Sequence, residues 1–114
     1  MVEYTFSSSL DNVFQALADP TRRDILQRVS LEQLTISQLA QKYNLTFSAV
    51  SKHLKVLENA RLVIKRRKGK EQLVSLSPQA LAEAAQYIEW YKRFTADRLD
   101  ALENYLKEDQ NGRY

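Results

Sequence analysis

Cysteine is absent from this sequence of 114 residues, and glycine and proline occur only twice each. Without thiols the chain forms no disulfide, no thiolate metal site and no redox switch. So few glycines and prolines favour helices joined by short loops. No apolar run approaches the roughly 18 residues of a membrane span, and the first ten residues lack the basic and apolar parts of a signal peptide. A cytoplasmic location is therefore expected.

The net charge of +3 is small, but its distribution along the chain is uneven. Residues 42–70 contain nine Lys and Arg against one acid, Glu58, whereas the segments on either side are mildly acidic. A cationic block on an otherwise near-neutral body indicates a surface that binds a polyanion. A solvated basic surface is the alternative reading if charge is the only evidence.

Apolar periodicity and capping residues predict a single, mainly helical domain over residues 1–114. Asp19 precedes Pro20 and is a good N-cap, Thr35 with Gln38 fits a capping box, and Asn44 suits a left-handed turn. Beyond residue 60 the pattern changes to two short β-strands around a basic, glycine-containing tip. The predicted elements are a loose arm (1–9), helices over about 10–18, from 20, over 35–43 and 47–59, a hairpin over 62–76, and a last helix over about 78–107.

The order of these elements predicts a winged helix-turn-helix, with residues 35–59 as the helix-turn-helix and residues 62–76 as the wing. The second helix of such a motif enters the major groove of DNA, and a wing reaches the backbone or the minor groove. This fold is mainly α, with about five helices and a two-stranded β-hairpin.

The outward face of the fourth helix carries short hydroxyls and long cations, because Val50, Leu54 and Leu57 point inward. Small side chains near a helix start allow close approach to the groove, and lysines reach base edges or phosphates. Free N–H groups at helix starts favour phosphate oxygens, although capping explains the threonines equally well. The candidates for DNA contact on these two helices are Ser37, Thr46, Phe47, Ser48, Ser51, Lys52 and Lys55.

Two positions in this segment leave alternatives open. Phe47 could touch a thymine methyl group or pack as a staple under the turn. His53 is the only histidine, and we interpret it as a structural or phosphate-binding residue in preference to a switch. In the wing, phosphate contact is favoured over a merely solvated turn for the cations Lys65, Arg66, Arg67, Lys68 and Lys70.

The sequence shows no arrangement typical of an enzyme. The single histidine has no sequence-local acid or nucleophile, no glycine-rich phosphate loop occurs, and no carboxylate pair has metal-ligand spacing. We therefore expect no catalytic residues, no metal and no cofactor.

Two stretches resemble the ArsR-type winged-helix repressors of bacteria: LADPTRRDILQRV at residues 17–29 and TISQLAQKYNLTFSAVSKHLKVLENARLVIKRRKGKEQLVSL at residues 35–76. The most specific parts are DPTRRDIL and VSKHLKVLENARLV, and the resemblance covers about residues 10–106. It implies a homodimer built mainly from the first and last helices, with two recognition helices presented to a palindromic operator. By position, it implies base contacts by Ser48, Ser51 and Lys52 and wing contacts by Arg66, Arg67 and Lys68.

The sequence departs from the founding members of that family, which sense metals through a cysteine pair in the third helix or through His, Asp and Glu in the last helix. Here there is no cysteine, and the last helix has no histidine. Thiolate and imidazole sensing are excluded, and carboxylates alone are not expected to bind a hard metal. The resemblance is closer to the non-sensing branch, whose members are controlled by a partner protein or by their own abundance. An inducer or a sequestering partner protein is therefore a further candidate partner. Phe47 is a second departure, because relatives often carry a polar residue there, and it leaves the operator sequence open.

The last helix carries an apolar stripe that is longer than one small domain can cover. Its remainder is predicted to meet the same helix, or the first helix, of a second subunit. An aromatic cluster at Tyr87, Trp90, Tyr91 and Phe94 could instead line a ligand pocket, or the Trp90 face could sequester a partner protein in an interaction module. The predicted dimer residues are Val13, Phe14, Leu17, Ile88, Tyr91, Phe94, Leu99, Leu102 and Leu106.

Overall fold

The computed structural model describes the backbone of residues 3–112 and the side chains of residues 9–109. This part of the chain divides into two units after Glu83, and the single winged helix-turn-helix domain expected over residues 1–114 stays a prediction. The first unit holds four helices, a small sheet and the start of a fifth helix, and the second holds the rest of that helix. Residues 85–109, which belong to the second unit, are all exposed.

Helices α1 (Glu3–Leu17) and α2 (Pro20–Leu31) are joined by a tight turn. The predicted arm is wrong for residues 3–9, which are helical, while residues 1 and 2 lie outside the described part of the chain. The apolar spacing of Leu10 and Val13 continues upstream to Phe6, but three intervening serines with weak helix propensity hid that pattern. The predicted cap of α2 is confirmed, because the Asp19 carboxylate accepts a hydrogen bond from the N–H of Arg22 (3.0 Å).

The helix-turn-helix follows a short strand, β1 (Leu34–Thr35), and consists of α3 (Ile36–Tyr43) and α4 (Phe47–Asn59). Thr35 and Gln38 form the predicted capping box. Asn44 has the predicted left-handed conformation (φ 52°, ψ 44°). The hydroxyl of Thr46 accepts a hydrogen bond from the N–H of Ala49 (3.1 Å), which confirms it as the cap of α4.

The wing is an antiparallel hairpin of β2 (Val63–Lys68) and β3 (Glu71–Leu76). Gly69 at its tip has φ +64°, a conformation that favours glycine. The far edge of β3 also pairs with β1, which gives the order β1-β3-β2 and adds a strand to the predicted two. A strand of two residues has no alternating pattern to reveal it. The predicted mainly helical winged fold is otherwise confirmed.

Helix α5 (Pro78–Gly112) begins where expected and extends a few residues beyond its predicted end. Within the described residues, no helix combines the length and the apolar character that a membrane span requires.

The core of the first unit holds the helix-turn-helix and the hairpin in place. Ile25 of α2, Leu39 of α3 and Leu54 of α4 are fully buried, as are Leu62 and Val74 beside and within the hairpin. Burial of one such side chain contributes about 1.5–3 kcal/mol. The helix-turn-helix and the wing therefore share one rigid support.

Candidate nucleic-acid interface

Helix α4 is oriented by the three apolar side chains that it buries. Val50, Leu54 and Leu57 are fully buried, with the i, i+4, i+7 spacing of one helix face. The opposite face carries Ser48, Lys52 and Lys55, all exposed, and no acid, while Glu58 lies on the flank of the helix. At the start of the helix Thr46 and Phe47 are exposed, and Ser51 is half-buried.

The turn between α3 and α4 is closed by backbone hydrogen bonds. The N–H of Leu45 donates to the carbonyl of Ala40 (3.0 Å), and that of Asn44 donates to the carbonyl of Gln41 (3.3 Å). This pattern, with a left-handed residue directly after the helix, is the Schellman motif. It satisfies the last carbonyls of α3 and sets the direction in which α4 departs.

A polar cluster fixes the end of α3 against α2. The Tyr43 hydroxyl donates to Asp24 Oδ2 (2.5 Å), and Arg28 Nε donates to both Asp24 Oδ2 and the Tyr43 hydroxyl (2.9 Å each). The bond from Tyr43, followed by that from Arg28, lowers the pKa of Asp24. Burial, followed by the bond to Asp24, raises the pKa of Tyr43 to about 12. Sequence reasoning missed this cluster, although the i, i+4 spacing of Asp24 and Arg28 signalled the ion pair.

One groove brings together the starts of α3 and α4 and the wing, three elements that the sequence analysis treated separately. Ser37 is at the start of α3, Phe47 and Ser51 are on the first turns of α4, and Lys65 and Lys70 are on the hairpin. All five were predicted to contact DNA. The other residues that line the groove are Thr35, Ile36, Glu71 and Gln72.

The wing tip presents cations to solvent. Arg66, Arg67, Lys68 and Lys70 are all exposed. Arg67 Nε donates to the carbonyl of Gly69 (3.4 Å), a bond that holds this guanidinium beside the turn. Alternation along β2 directs the side chains of Arg66 and Arg67 to opposite faces of the hairpin. The tip is thus cationic on both faces.

Lys65 is less available to contact an anion than the other wing cations are. Its ammonium group lies 3.3 Å from Glu58 Oε1 of α4, and its side chain is only 23% exposed. The pair joins the wing to α4 and reduces the positive charge of the groove. Sequence reasoning assigned Lys65 to DNA and gave Glu58 no role.

His53 lies in a structural cluster between α4 and the start of α2. Its Nδ1 is 3.9 Å from Asp19 Oδ2 and 3.5 Å from an Arg22 guanidinium nitrogen. The N–H of Arg22, as the largest cause, lowers the pKa of Asp19. Arg22 also donates to the carbonyls of Ala16 (2.8 Å) and Gln15 (3.0 Å) at the end of α1. The DPTRR motif thus caps two helices, a role that sequence reasoning did not assign to its arginines.

The predicted dimer residues divide between the two units. In α1, Val13 is 2% exposed and belongs to the core, so its assignment to a dimer surface is corrected, because a buried side chain has no area left for a partner. Phe14 is 37% exposed and Leu17 is half-buried. In the second unit the predicted residues Ile88, Tyr91, Phe94, Leu99, Leu102 and Leu106 are all exposed.

The aromatic cluster of α5 forms a row of contacting rings. Trp90 stacks on Phe94 with centroids 5.6 Å apart, and Tyr91 meets Trp90 edge to face at 4.9 Å. Tyr87 meets Tyr91 in the same way at 5.0 Å. The rings lie side by side along the outside of one helix, which is the geometry of a surface and not of an enclosed ligand pocket.

Comparison with known proteins adds the following matches. Residues 19–65 match the model of a protein family described as bacterial regulatory protein, arsR family. The chain is 45% identical over 74 residues to the HTH-type transcriptional regulator Rv2034 of Mycobacterium tuberculosis, covering 65% of this chain and 69% of that protein. It is 33% identical over 85 residues to the transcriptional repressor SdpR of Bacillus subtilis, covering 75% and 91%. The solved structure of an ArsR-like transcriptional regulator from Rhodococcus sp. RHA1 has a TM-score of 0.79 at 27% identity, covering 92% of this chain and 96% of that chain.

Proposed function

Because the chain belongs to the ArsR family of bacterial transcriptional regulators, we propose that it is a homodimeric repressor that binds a palindromic double-stranded operator. The relatives that identify the family are named regulators of transcription and not enzymes, in agreement with the expectation from the sequence. The observation that carries the proposal is the groove where hydroxyl and cationic side chains from α3, α4 and the wing converge.

The exposed side chains of α4 and of the wing tip support a division of roles. Ser48 and Lys52, exposed on α4, face the base edges of a major groove. Arg66, Arg67 and Lys68 contact the phosphates on its rim. Lysine and arginine contacts to phosphate position the protein, whereas contacts to base edges give sequence preference.

The exposed stripe of α5 supports the dimer. Exposed Leu99, Leu102 and Leu106 recur on one face of the second unit. A continuous apolar face of this kind is typical of an interface, and a two-fold axis buries it with a single self-complementary patch. Leu102→Glu is expected to halve the mass measured by sedimentation, whereas Asn104→Glu, on the opposite face of the helix, leaves it unchanged. A dimer that survives Leu102→Glu would place the interface elsewhere.

We also propose that the regulator has no metal-sensing site. The sequence has no cysteine, and its histidine neighbours the guanidinium of Arg22, a poor environment for a cation. Within residues whose side chains are described, no three His, Asp or Glu residues are grouped as metal ligands. Operator affinity should then be the same with zinc and with a chelator.

Control by a partner protein is the second proposal. Trp90 is 58% exposed and stacks on Phe94, which leaves a large aromatic surface in solvent. A protein that covered this surface could sequester the regulator. A stable hetero-complex that excludes DNA would support this proposal.

Selection of bound duplexes from a random pool tests DNA binding directly. We expect a palindrome with half-sites one helical turn apart, roughly 34–36 Å. Affinity should fall about a thousandfold or more between about 50 and 200 mM salt if six to ten phosphates are contacted. Failure to enrich any sequence at low salt, or binding that is independent of salt, would contradict the proposal.

A further inference from the structure

Phe47 is the first residue of α4, and its ring is 57% exposed. A ring that served as a packing staple under the turn would be buried, as Val50 is one turn later in the same helix. Exposure of a phenyl ring at the leading end of the helix has an unfavourable hydration free energy. The packing role considered from the sequence therefore does not account for Phe47.

The surroundings of the ring indicate what it meets. Phe47 lines the groove together with Ser37, Ser51, Lys65 and Lys70, all of which are polar or cationic. The other apolar residue of the lining, Ile36, is 4% exposed and has little surface to offer. Phe47 is thus the main apolar contact surface in a groove whose other side chains, apart from the carboxylate of Glu71, suit phosphates and polar base edges.

Apolar groups are scarce in the major groove of DNA. Among the four bases, only thymine presents one there, the methyl group on C5, while the remaining edges are hydrogen-bond donors and acceptors. A second protein would also bury the ring, but the exposed Lys70 in the same groove and the cations of the wing tip favour a polyanion.

We propose that Phe47 contacts the C5-methyl group of a thymine at one position in each half-site of the operator. This inference rests on the proposed DNA-binding function and assigns a base preference within it. A 5-methylcytosine at the same position supplies the same methyl group and is expected to satisfy the contact when guanine is its complement.

Thymine-to-deoxyuridine substitution tests the proposal, because it removes the methyl group and leaves every hydrogen-bonding atom in place. Each thymine of a selected operator is replaced in turn, symmetrically in both half-sites, and the Kd is measured. The wild-type protein should lose about fourfold in affinity per half-site at one position, as expected for one buried methyl group. At that position Phe47→Ala should bind the two duplexes equally.

Leu45→Ala is the matched control, because Leu45 is also a partly exposed apolar residue near the turn. It should keep the wild-type preference for thymine. Equal affinity of the wild-type protein for thymine and deoxyuridine at every position would overturn the inference and leave DNA binding intact. A preference that persists in Phe47→Ala would overturn it as well. Absence of any DNA binding would remove the proposed function and this inference together.

Discussion

The ammonium group of Lys65 in β2 lies 3.3 Å from the carboxylate of Glu58 in α4. Glu58 is the only acid between residues 42 and 70. An ion pair at such a partly exposed site contributes about 0–1 kcal/mol to stability. Its main consequence is electrostatic, because it places the single carboxylate of the basic segment between the recognition helix and the wing.

Glu58→Gln should strengthen DNA binding a few-fold at low salt. The change removes a negative charge near phosphates and releases Lys65, which can then contact a phosphate and steepen the salt dependence by about one counterion. Fluorescence anisotropy with a non-specific duplex over a salt series measures both effects.

Glu83→Gln is the control for that experiment. Glu83 forms an ion pair of similar length with Arg61, at 3.4 Å, and Glu83→Gln makes the same change in net charge. Neither Glu83 nor Arg61 lines the groove, whereas Lys65, the partner of Glu58, does. The control should have a much smaller effect. If both variants bind DNA equally well, the pair of Glu58 and Lys65 has no specific influence.

Lys52→Ala and Arg67→Ala should affect DNA binding in different ways. Lys52 is exposed on the outer face of α4 and Arg67 on the wing. Loss of a base contact by Lys52 is expected to cost about 1–3 kcal/mol on the selected operator and to relax preference at one position. Loss of a phosphate contact by Arg67 should weaken binding to all duplexes alike and reduce the salt slope by about one.

Arg93→Ala controls for the loss of positive charge as such. Arg93 lies on α5, 4.0 Å from Glu89. Arg93→Ala should leave both the base preference and the salt slope of DNA binding unchanged. Equal losses on specific and random duplexes for Lys52→Ala would show that Lys52 reads no base.

Local signals predicted the helix starts correctly. Asp19, Thr35 and Thr46 each cap a helix as expected, because a cap depends on residues three positions apart in the chain. The strand at Leu34–Thr35 escaped prediction because it exists only through pairing with Leu73 and Val74 of β3. Its two residues carry no pattern of their own.

The sequence was enough to name candidate residues for the site, but not to predict how they are arranged in space. The exposure of Lys52 and Lys55 was predictable, because the apolar side chains of α4 recur with the helical period and leave these lysines on the other face. The pairing of Lys65 with Glu58, and the presence of Ser37 and Lys70 in one groove, depend on how the hairpin packs against the helices. The burial of Val13 was missed because an apolar helix face has the same sequence pattern in a core and in an interface.

Tyr43→Phe should destabilise the protein by about 1 kcal/mol at neutral pH, because it removes the hydroxyl that bonds Asp24 and Arg28. The pKa of Tyr43 is raised to about 12, above the ordinary value of about 10. The folded state therefore retains a proton that the unfolded state releases. This contribution is complete below about pH 10 and is lost as the pH rises towards 12.

Urea denaturation of the wild type and of Tyr43→Phe at several pH values measures this linkage. The difference in the free energy of unfolding should shrink between about pH 10 and 12. In acid it should also shrink below about pH 4, because the Tyr43 bond is the largest cause of the lowered pKa of Asp24. Tyr105→Phe, at an exposed tyrosine, should show neither effect. A difference that is constant across the pH range would contradict the assigned bond.

Asn44→Val should destabilise the helix-turn-helix by about 1–2 kcal/mol. Asn44 has φ 52°, where a β-branched side chain collides with its own backbone while asparagine is tolerated. Asn44→Gly keeps access to this conformation and should stay within about 0.5 kcal/mol of the wild type, because relief of residual strain offsets the greater freedom of glycine in the unfolded chain. The midpoint of urea denaturation distinguishes the two variants. If valine and glycine had equal effects, the left-handed turn would not constrain the junction of α3 and α4, and the rigid presentation of Lys52 and Phe47 would need another explanation.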